Sequence, residues 1–129
     1  MRTITQDLVR GLVELMRDAE TGPYLAGSNP TLPDFMLAPF AWRLEVVLRQ
    51  YRDFVVPGNG ATVAGAEVSG EEGKLLRKYH EWFALMRERE SFKRTLCSGE
   101  RMIERHAKYA NSAATTLVAE ATRKGVAAP

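Results

Sequence analysis

The chain has 129 residues, 45% of them hydrophobic and 26% charged, with a formal net charge of +2 at pH 7, which suits one globular domain with one hydrophobic core. The small net charge, with lysine and arginine interspersed among glutamate, excludes the basic stripe of a nucleic-acid-binding surface. No apolar run is long enough to span a membrane, no signal peptide opens the chain, and a single cysteine excludes an internal disulfide, so we expect a cytoplasmic protein that does not bind membranes.

Residues 3–18 are predicted to form the first helix, because apolar side chains recur along one face at helical spacing. Thr3 and Gln6 have the spacing of a capping box at its start. Glycine and proline then interrupt the pattern, and a loop is expected to continue to Pro30. The apolar positions of this helix are Ile4, Leu8, Leu12, Leu15 and Met16.

A second helix is predicted from about residue 32 to residue 52, and we call it the hub helix. Thr31 and Asp34 have the spacing of a capping box, in which each side chain accepts a hydrogen bond from the backbone N–H of the other residue. Residues 35–42 are almost continuously apolar, so we expect the other helices to surround the hub helix and bury most of its circumference. Pro39 removes one intrahelical hydrogen bond and is expected to bend it.

The rest of the chain predicts further helices and no sheet. Residues 56–70 contain several glycines and are expected to form an irregular loop. A third helix is predicted over 71–89, a short helical turn over 91–96, and a fourth helix over 98–109. The tail, 112–124, is rich in small residues and is compatible with one more helix. The predicted fold is therefore an all-α bundle of four to five helices.

Both later helices are predicted to face the core with one apolar stripe. Ser98 is the expected N-cap of the fourth helix. The inward-facing positions are Leu75, Tyr79, Trp82, Phe83 and Met86 in the third helix, and Met102, Ile103 and Tyr109 in the fourth.

The residues alone show no catalytic constellation. His80 and His106 lie 26 positions apart, without the spacing of metal ligands, so we interpret them as surface or half-buried side chains and expect no metal. Cys97 precedes the expected cap Ser98, which leaves two interpretations, a reactive thiol at a helix N-terminus or a small packing residue. No nucleophile is paired with a base and an orienting group.

Arg43 and the aromatic residues are the candidate binding groups. Most aromatic side chains at helical spacing belong to a core, and the alternative is that two or three of them line an apolar pocket. Arg43 directly follows the apolar half of the hub helix. It either pairs with a carboxylate of the protein or holds an anionic ligand group in a bidentate contact, and the sequence leaves both open.

Several stretches resemble the C-terminal helical domain of glutathione transferases. Residues 22–34, Gly-Pro-Tyr-Leu-Ala-Gly-Ser-Asn-Pro-Thr-Leu-Pro-Asp, look like the segment in which a Tyr/Phe-Leu-x-Gly turn leads to a Ser/Thr-x-x-Asp cap on the central helix. Residues 39–45, Pro-Phe-Ala-Trp-Arg-Leu-Glu, are similar to the omega-class Pro-aromatic-x-x-Arg-Leu-Glu run. Residues 82–86 and 91–96 resemble a tryptophan-containing helix followed by Pro-Ser-Phe-x-x-Thr. Glu90 stands where the proline is usual, so we expect the helix to run further here.

The resemblance implies that residues 1–129 form one all-helical domain that lines the hydrophobic-substrate pocket of a transferase. In omega-like members this pocket uses an arginine, an aromatic residue and a tyrosine, whose positions here are Arg43, Met102 and Tyr109. Phe40 is the aromatic residue in the same run as Arg43. Met102 replaces an aromatic residue and makes a softer wall. Glutathione is implied for the complete enzyme, and no cofactor is expected in this chain.

Two parts of such transferases have no counterpart in the sequence. One is the thioredoxin-like N-terminal domain, which binds glutathione and supplies the catalytic cysteine, serine or tyrosine. The other is the first helix of the helical domain, because residues 3–18 match its second helix. The remaining helices are then expected to expose apolar surface. We therefore expect a homodimer, or docking to a separate thioredoxin-like domain.

Two functions are compatible with this resemblance. In the first, the chain is the substrate-side helical domain of an omega-like glutathione transferase or thiol reductase, inactive without a thioredoxin-like domain. In the second, it is a non-catalytic interaction module of transferase-like fold, as in translation-factor assemblies. Whether the chain belongs to an enzyme is open at this point, because it contains no recognisable catalytic residue.

Overall fold

The structure is a computed structural model that describes residues 4–19, 21–58, 70–111, 120–121 and 124–125. In these segments the only β pairing is an isolated bridge within a turn, so the predicted all-α class is confirmed. No helix in them combines the length and the hydrophobicity needed to cross a membrane. The elements are α1 (Ile4–Asp18), α2 (Leu32–Arg43), a π-helical turn (Leu44–Leu48), α3 (Arg49–Arg52), α4 (Gly70–Glu88), α5 (Glu90–Thr95) and α6 (Gly99–Ala110).

The chain divides into two units, Met1–Leu96 and Cys97–Pro129, and each is described here by itself. The first unit contains α1 to α5, in which α4 packs against α1, α2 and α5. The second unit contains α6. Ser98 caps α6 as predicted, since its hydroxyl accepts a hydrogen bond from the Arg101 N–H at 3.4 Å. The predicted cap at Thr3, most of the glycine-rich loop and most of the tail helix lie outside the described residues.

The hub helix has the predicted bounds, because α2, the π-helical turn and α3 follow one another without a break. Its start shows the predicted capping box, with Thr31 in an extended conformation. Its end is set by Asp53, whose φ of 49° is left-handed. The Phe54 N–H then donates to the Leu48 carbonyl at 3.2 Å, and the chain leaves the helix axis.

The core of the first unit is formed by one face each of α1, α2 and α4. The hub helix contributes small side chains, Ala38 and Ala41, together with Asp34. Small residues at this spacing allow a close approach to the aromatic side chains of α4. The buried residues of α1 and α4 are Leu12, Val13, Met16, Leu76, Tyr79, Trp82, Phe83 and Met86.

The expectation that the hub helix is buried on most of its circumference is wrong. Phe35 and Phe40 are 43% and 57% exposed, and Leu32 and Met36 are also exposed. An apolar run without a polar side gives no information about which face of the helix is buried. Here the buried face is the one that carries the small residues Ala38 and Ala41. Four large apolar side chains of α2 consequently lie on the surface, whereas Leu37 and Trp42 are half-buried and pack against the core.

Three smaller expectations also need correction. On α4 the fully buried leucine is Leu76, whereas Leu75 is only partly buried. Tyr109 is exposed rather than inward-facing. The replacement of proline by Glu90 does not extend the helix, because Arg89 is extended, with ψ of 131°, and separates α4 from α5. The helix break therefore does not require a proline.

Candidate functional site

Asp34 is the most tightly held polar group in the described residues. It is fully buried, and its carboxylate accepts four hydrogen bonds. Oδ2 accepts the Thr31 N–H at 2.8 Å and the Thr31 hydroxyl at 3.2 Å. Oδ1 accepts the Leu25 N–H at 3.0 Å and the indole N–H of Trp82 at 2.7 Å. One carboxylate thus joins the loop before the hub helix, the hub helix itself and α4.

The loop that presents the Leu25 N–H to Asp34 depends on two glycines. Tyr24 and Gly27 exchange backbone hydrogen bonds at 3.0 and 3.3 Å, which closes a tight turn around Leu25. Gly22 and Gly27 have φ of 143° and 118°, which side-chain-bearing residues rarely adopt. A Cβ atom at Gly22 would lie 2.4 Å from the Gly27 carbonyl oxygen. Gly22 and Gly27 therefore allow the turn in which the Leu25 N–H donates to Asp34.

The electrostatics of Asp34 indicate a structural role. Burial alone would raise the pKa of its carboxyl, but the hydrogen bonds from Thr31, Leu25 and Trp82 outweigh burial and lower the pKa below its usual value. Asp34 is therefore ionised at neutral pH. Because all four contacts are made within the protein, this carboxylate does not offer itself to a substrate.

The exposed side of α2 brings together two of the predicted site residues. We call Leu32, Phe35, Met36 and Phe40 the aromatic face. The Arg43 guanidinium lies over the Phe40 ring, 5.3 Å from its centroid, and Arg43 itself is exposed. In the described part of the chain no carboxylate pairs with Arg43, so of the two alternatives the intramolecular ion pair is not observed.

Arg89 is a second cation on the aromatic face, and the sequence did not reveal it. Its guanidinium lies 5.5 Å from the centroid of the Phe35 ring. Its Nε is buried and has no hydrogen-bond partner in the described part of the chain, which is unusual for a buried polar atom. Arg89 lies between two helices and 46 positions after Arg43, and no local pattern links the two residues.

The other two predicted site residues, Met102 and Tyr109, lie on α6 in the second unit. Met102 is half-buried, and its carbonyl accepts a hydrogen bond from the Nδ1–H of His106 at 2.8 Å. The Tyr109 ring is exposed, with the Lys108 ammonium 5.0 Å from its centroid. Neither observation tests their role in substrate binding, which stays a prediction.

Both histidines have structural partners. His80 donates its Nε2–H to the carbonyls of Val56 and Pro57, at 3.1 and 3.0 Å, and His106 bonds within its own helix. The described segments contain no group of three or more histidine, cysteine, aspartate or glutamate side chains that could hold a metal ion. Cys97 is half-buried and not in a disulfide.

Comparison with known protein families gives the context for this geometry. The family model described as glutathione S-transferase, C-terminal domain, matches residues 2–84, which contain the capped hub helix and the aromatic face. Searches of curated proteins and of solved structures each find no significant match. With a family match over more than half of its length, an all-α fold and the Thr31–Asp34 cap in place, the chain belongs to the glutathione S-transferase C-terminal domain family.

Proposed function

We propose that this chain is the substrate-side domain of an omega-like, thiol-dependent transferase, and that the aromatic face holds the hydrophobic part of the substrate. The single observation that supports this most strongly is the pair Phe40 and Arg43. An exposed aromatic ring beneath a guanidinium that pairs with no carboxylate of the described residues is suited to a substrate that joins an apolar body to an anionic group.

The chemistry is divided between two domains in this proposal. A thioredoxin-like domain binds glutathione and supplies the thiolate or its activating residue, and no residue of this chain is proposed to hold glutathione. The helical domain contributes binding energy and orientation, which bring the electrophile within reach of the thiolate. The chain is therefore expected to be inactive alone. Met102 and Tyr109 are proposed as further substrate contacts.

The exposed aromatic face also favours a partner. Large apolar side chains on a soluble domain are commonly covered by another protein surface, and Phe35, Met36 and Phe40 are exposed together on one helix. We propose either a thioredoxin-like domain or a second copy of this chain as that partner. Sedimentation velocity over a range of concentrations tests for the homodimer, and a concentration-independent monomer contradicts it.

A binding experiment tests the role of the aromatic face. The probe is 1-octanesulfonate, which joins an apolar body to an anionic group and contains no glutathione, titrated into the ¹⁵N-labelled chain and followed by amide chemical shifts. We expect shifts along α2, with binding weakened about tenfold by Phe40→Ala and by Arg43→Ala, since each removes a contact of one to two kcal/mol. Matched controls are Leu85→Ala, an exposed apolar residue of α4, and Arg77→Ala, an exposed arginine of α4. Equal weakening by the controls contradicts the proposal.

The second candidate function, a non-catalytic interaction module, is favoured by the same exposed apolar surface. Turnover distinguishes the two. The chain is mixed with a thioredoxin-like domain and assayed with glutathione and 1-chloro-2,4-dinitrobenzene, and then with hydroxyethyl disulfide as a thiol-transfer substrate. Activity above that of the thioredoxin-like domain alone supports the transferase. No gain in activity, together with a stable complex of the two domains, favours the interaction module.

A further inference from the structure

A cavity of about 480 Å³ lies in the first unit, between the C-terminal part of the hub helix and α4. This volume is in the range of small-molecule sites. Its apolar walls include Phe54, Val56 and Phe83, all buried, and charged side chains also line it. The cavity uses no residue of the aromatic face, so an inference about it does not depend on the proposed function.

Tyr79 supplies a hydroxyl donor in the wall of this cavity. The residue is only 2% exposed, yet in the described part of the chain no group hydrogen-bonds to its hydroxyl. The hydroxyl is not sealed from solvent, since the one sealed and unpartnered side-chain atom there is the Nε of Arg89. Burial, and then the nearby Glu45 carboxylate, raise the pKa of Tyr79, so the hydroxyl keeps its proton. A hydroxyl that is open to the cavity and has no acceptor among the described residues can donate a hydrogen bond to a ligand.

Two arginines and one glutamate give the lining of the cavity a net positive charge. Arg87 is held in place, because its Nη1 contacts both carboxylate oxygens of Glu45 at 3.1 and 3.3 Å. Its guanidinium also lies 5.3 and 5.6 Å from the ring centroids of Trp42 and Phe83. Arg49 is exposed, and no described residue pairs with it. One oriented cation and one unpaired cation beside an apolar wall are suited to a carboxylate on an aromatic body.

The local backbone is consistent with a built site. Glu45 and Arg49 lie at the two ends of the π-helical turn, Leu44–Leu48, that interrupts the hub helix. Such turns are uncommon and occur frequently at functional sites. On the opposite side, His80 fixes the segment after the hub helix through the Val56 and Pro57 carbonyls. Both walls are thus held by contacts within the protein.

We propose that this cavity binds a small aromatic carboxylate. The carboxylate lies against Arg49 and Arg87, the ring system packs on the apolar wall, and the Tyr79 hydroxyl donates a hydrogen bond to the ligand. This site is separate from the transferase substrate pocket and adds a second, small-molecule-binding function to the helical domain.

Isothermal titration of the intact chain with 2-naphthoate tests the proposal, with 2-naphthalenemethanol as the uncharged analogue. We expect 2-naphthoate to bind with a dissociation constant below about 1 mM and the alcohol to bind at least tenfold more weakly. Arg49→Gln is expected to weaken binding about tenfold, and Tyr79→Phe about three- to tenfold. Arg52→Gln is the matched control, since it removes the same charge from an exposed residue outside the cavity lining, and it is expected to leave binding unchanged.

The location of the 2-naphthoate site is tested independently by a substitution that fills the cavity and by amide chemical shifts. Ala84→Phe places a ring in the cavity wall and is expected to abolish binding, with the fold checked by circular dichroism. Shifts caused by 2-naphthoate are expected at Arg49, Val55 and Tyr79. Absence of binding at about 5 mM probe, equal affinity in Arg49→Gln and Arg52→Gln, or shifts confined to the aromatic face would each overturn the proposal. If Ala84→Phe does not fold, the Arg49 and Tyr79 variants still decide the question.

Discussion

Two carboxylates on the hub helix, Asp34 and Glu45, are eleven positions apart and have opposite surroundings. Asp34 is fully buried and accepts hydrogen bonds from Thr31, Leu25 and Trp82. Glu45 is 38% exposed and contacts Arg87, which is 42% exposed. The first carboxylate has no capacity left for a ligand, whereas the second lies in a cavity wall with the Tyr79 hydroxyl, which has no hydrogen-bond partner among the described residues.

The comparison separates a structural polar site from a binding site on the same helix. At the capped end all four hydrogen bonds that Asp34 accepts come from the protein itself, so these contacts stabilise the fold. At the π-helical end the Tyr79 hydroxyl and the Arg49 guanidinium have no partner among the described residues, so both can contact another molecule. Mutations at the two ends are therefore expected to have different readouts, stability at the first and binding at the second.

The largest effect is expected from neutralising the two carboxylates separately. Asp34→Asn puts an amide where four donors converge and is expected to lower the free energy of unfolding by about 3–5 kcal/mol, because buried N–H groups lose their acceptor. Glu45→Gln, the matched variant, is expected to cost no more than about 0.5 kcal/mol, since its ion pair is partly exposed and screened. Urea denaturation followed by circular dichroism measures both. Equal losses would contradict the distinction.

Loss of one of the hydrogen-bond donors to Asp34 is expected to lower the free energy of unfolding by a smaller amount. Trp82→Phe removes the 2.7 Å indole hydrogen bond and some core volume, and should lower the free energy of unfolding by about 2–3 kcal/mol. Phe83→Leu is the control on α4, because Phe83 is also buried in the core and its ring cannot make a conventional hydrogen bond. A loss as large in Phe83→Leu would show that lost core volume rather than the hydrogen bond determines the cost.

The capped end could be predicted from the sequence and the aromatic face could not. Thr31 and Asp34 interact over three residues, and local spacing is sufficient to identify a cap. The hydrogen bond from Trp82 to Asp34 joins residues 48 positions apart, and local pattern carries no such information. The apolar run 35–42 predicts a helix but does not predict which side of it is buried. The buried side depends on the close packing of Ala38 and Ala41 against other elements.

The cavity could not be predicted from the sequence either. Tyr79 has the spacing of a core residue and was interpreted as one, and it is indeed buried. Only the packing of the hub helix against α4 shows that no described residue hydrogen-bonds to the Tyr79 hydroxyl. In the sequence, Glu45 and Arg49 stand among apolar residues as exposed charges of an ordinary helix do, and no residue pattern marks the π-helical turn.

Acid unfolding is expected to reveal the state of Asp34. Since hydrogen bonds outweigh burial and lower its pKa below the usual 3.8, ionised Asp34 stabilises the folded state above about pH 4, and this stability is lost as the pH falls through the folded pKa. The slope contributed by one proton reaches about 1.4 kcal/mol per pH unit. Urea midpoints between pH 6 and pH 2.5 are expected to fall less steeply in Asp34→Asn than in the unmodified chain. Parallel profiles would contradict the assignment.

The smallest change in the free energy of unfolding is expected for Tyr79→Phe. A change near zero indicates a hydroxyl that is available to a ligand, whereas a loss of stability indicates a hydroxyl that the fold uses. Among the described residues the hydroxyl has no partner to lose, so at pH 7 its removal should change the free energy of unfolding by less than about 0.5 kcal/mol. Tyr24→Phe serves as a tyrosine control outside the cavity. Because burial and the Glu45 carboxylate raise the pKa of Tyr79 above its usual 10.0, the unmodified chain loses stability above about pH 10, where the unfolded state ionises first. Tyr79→Phe should therefore be more resistant to alkaline unfolding than the unmodified chain. A destabilised Tyr79→Phe at pH 7 would show instead that the hydroxyl is held by the fold, and the unsatisfied donor in the cavity would no longer be available to a ligand.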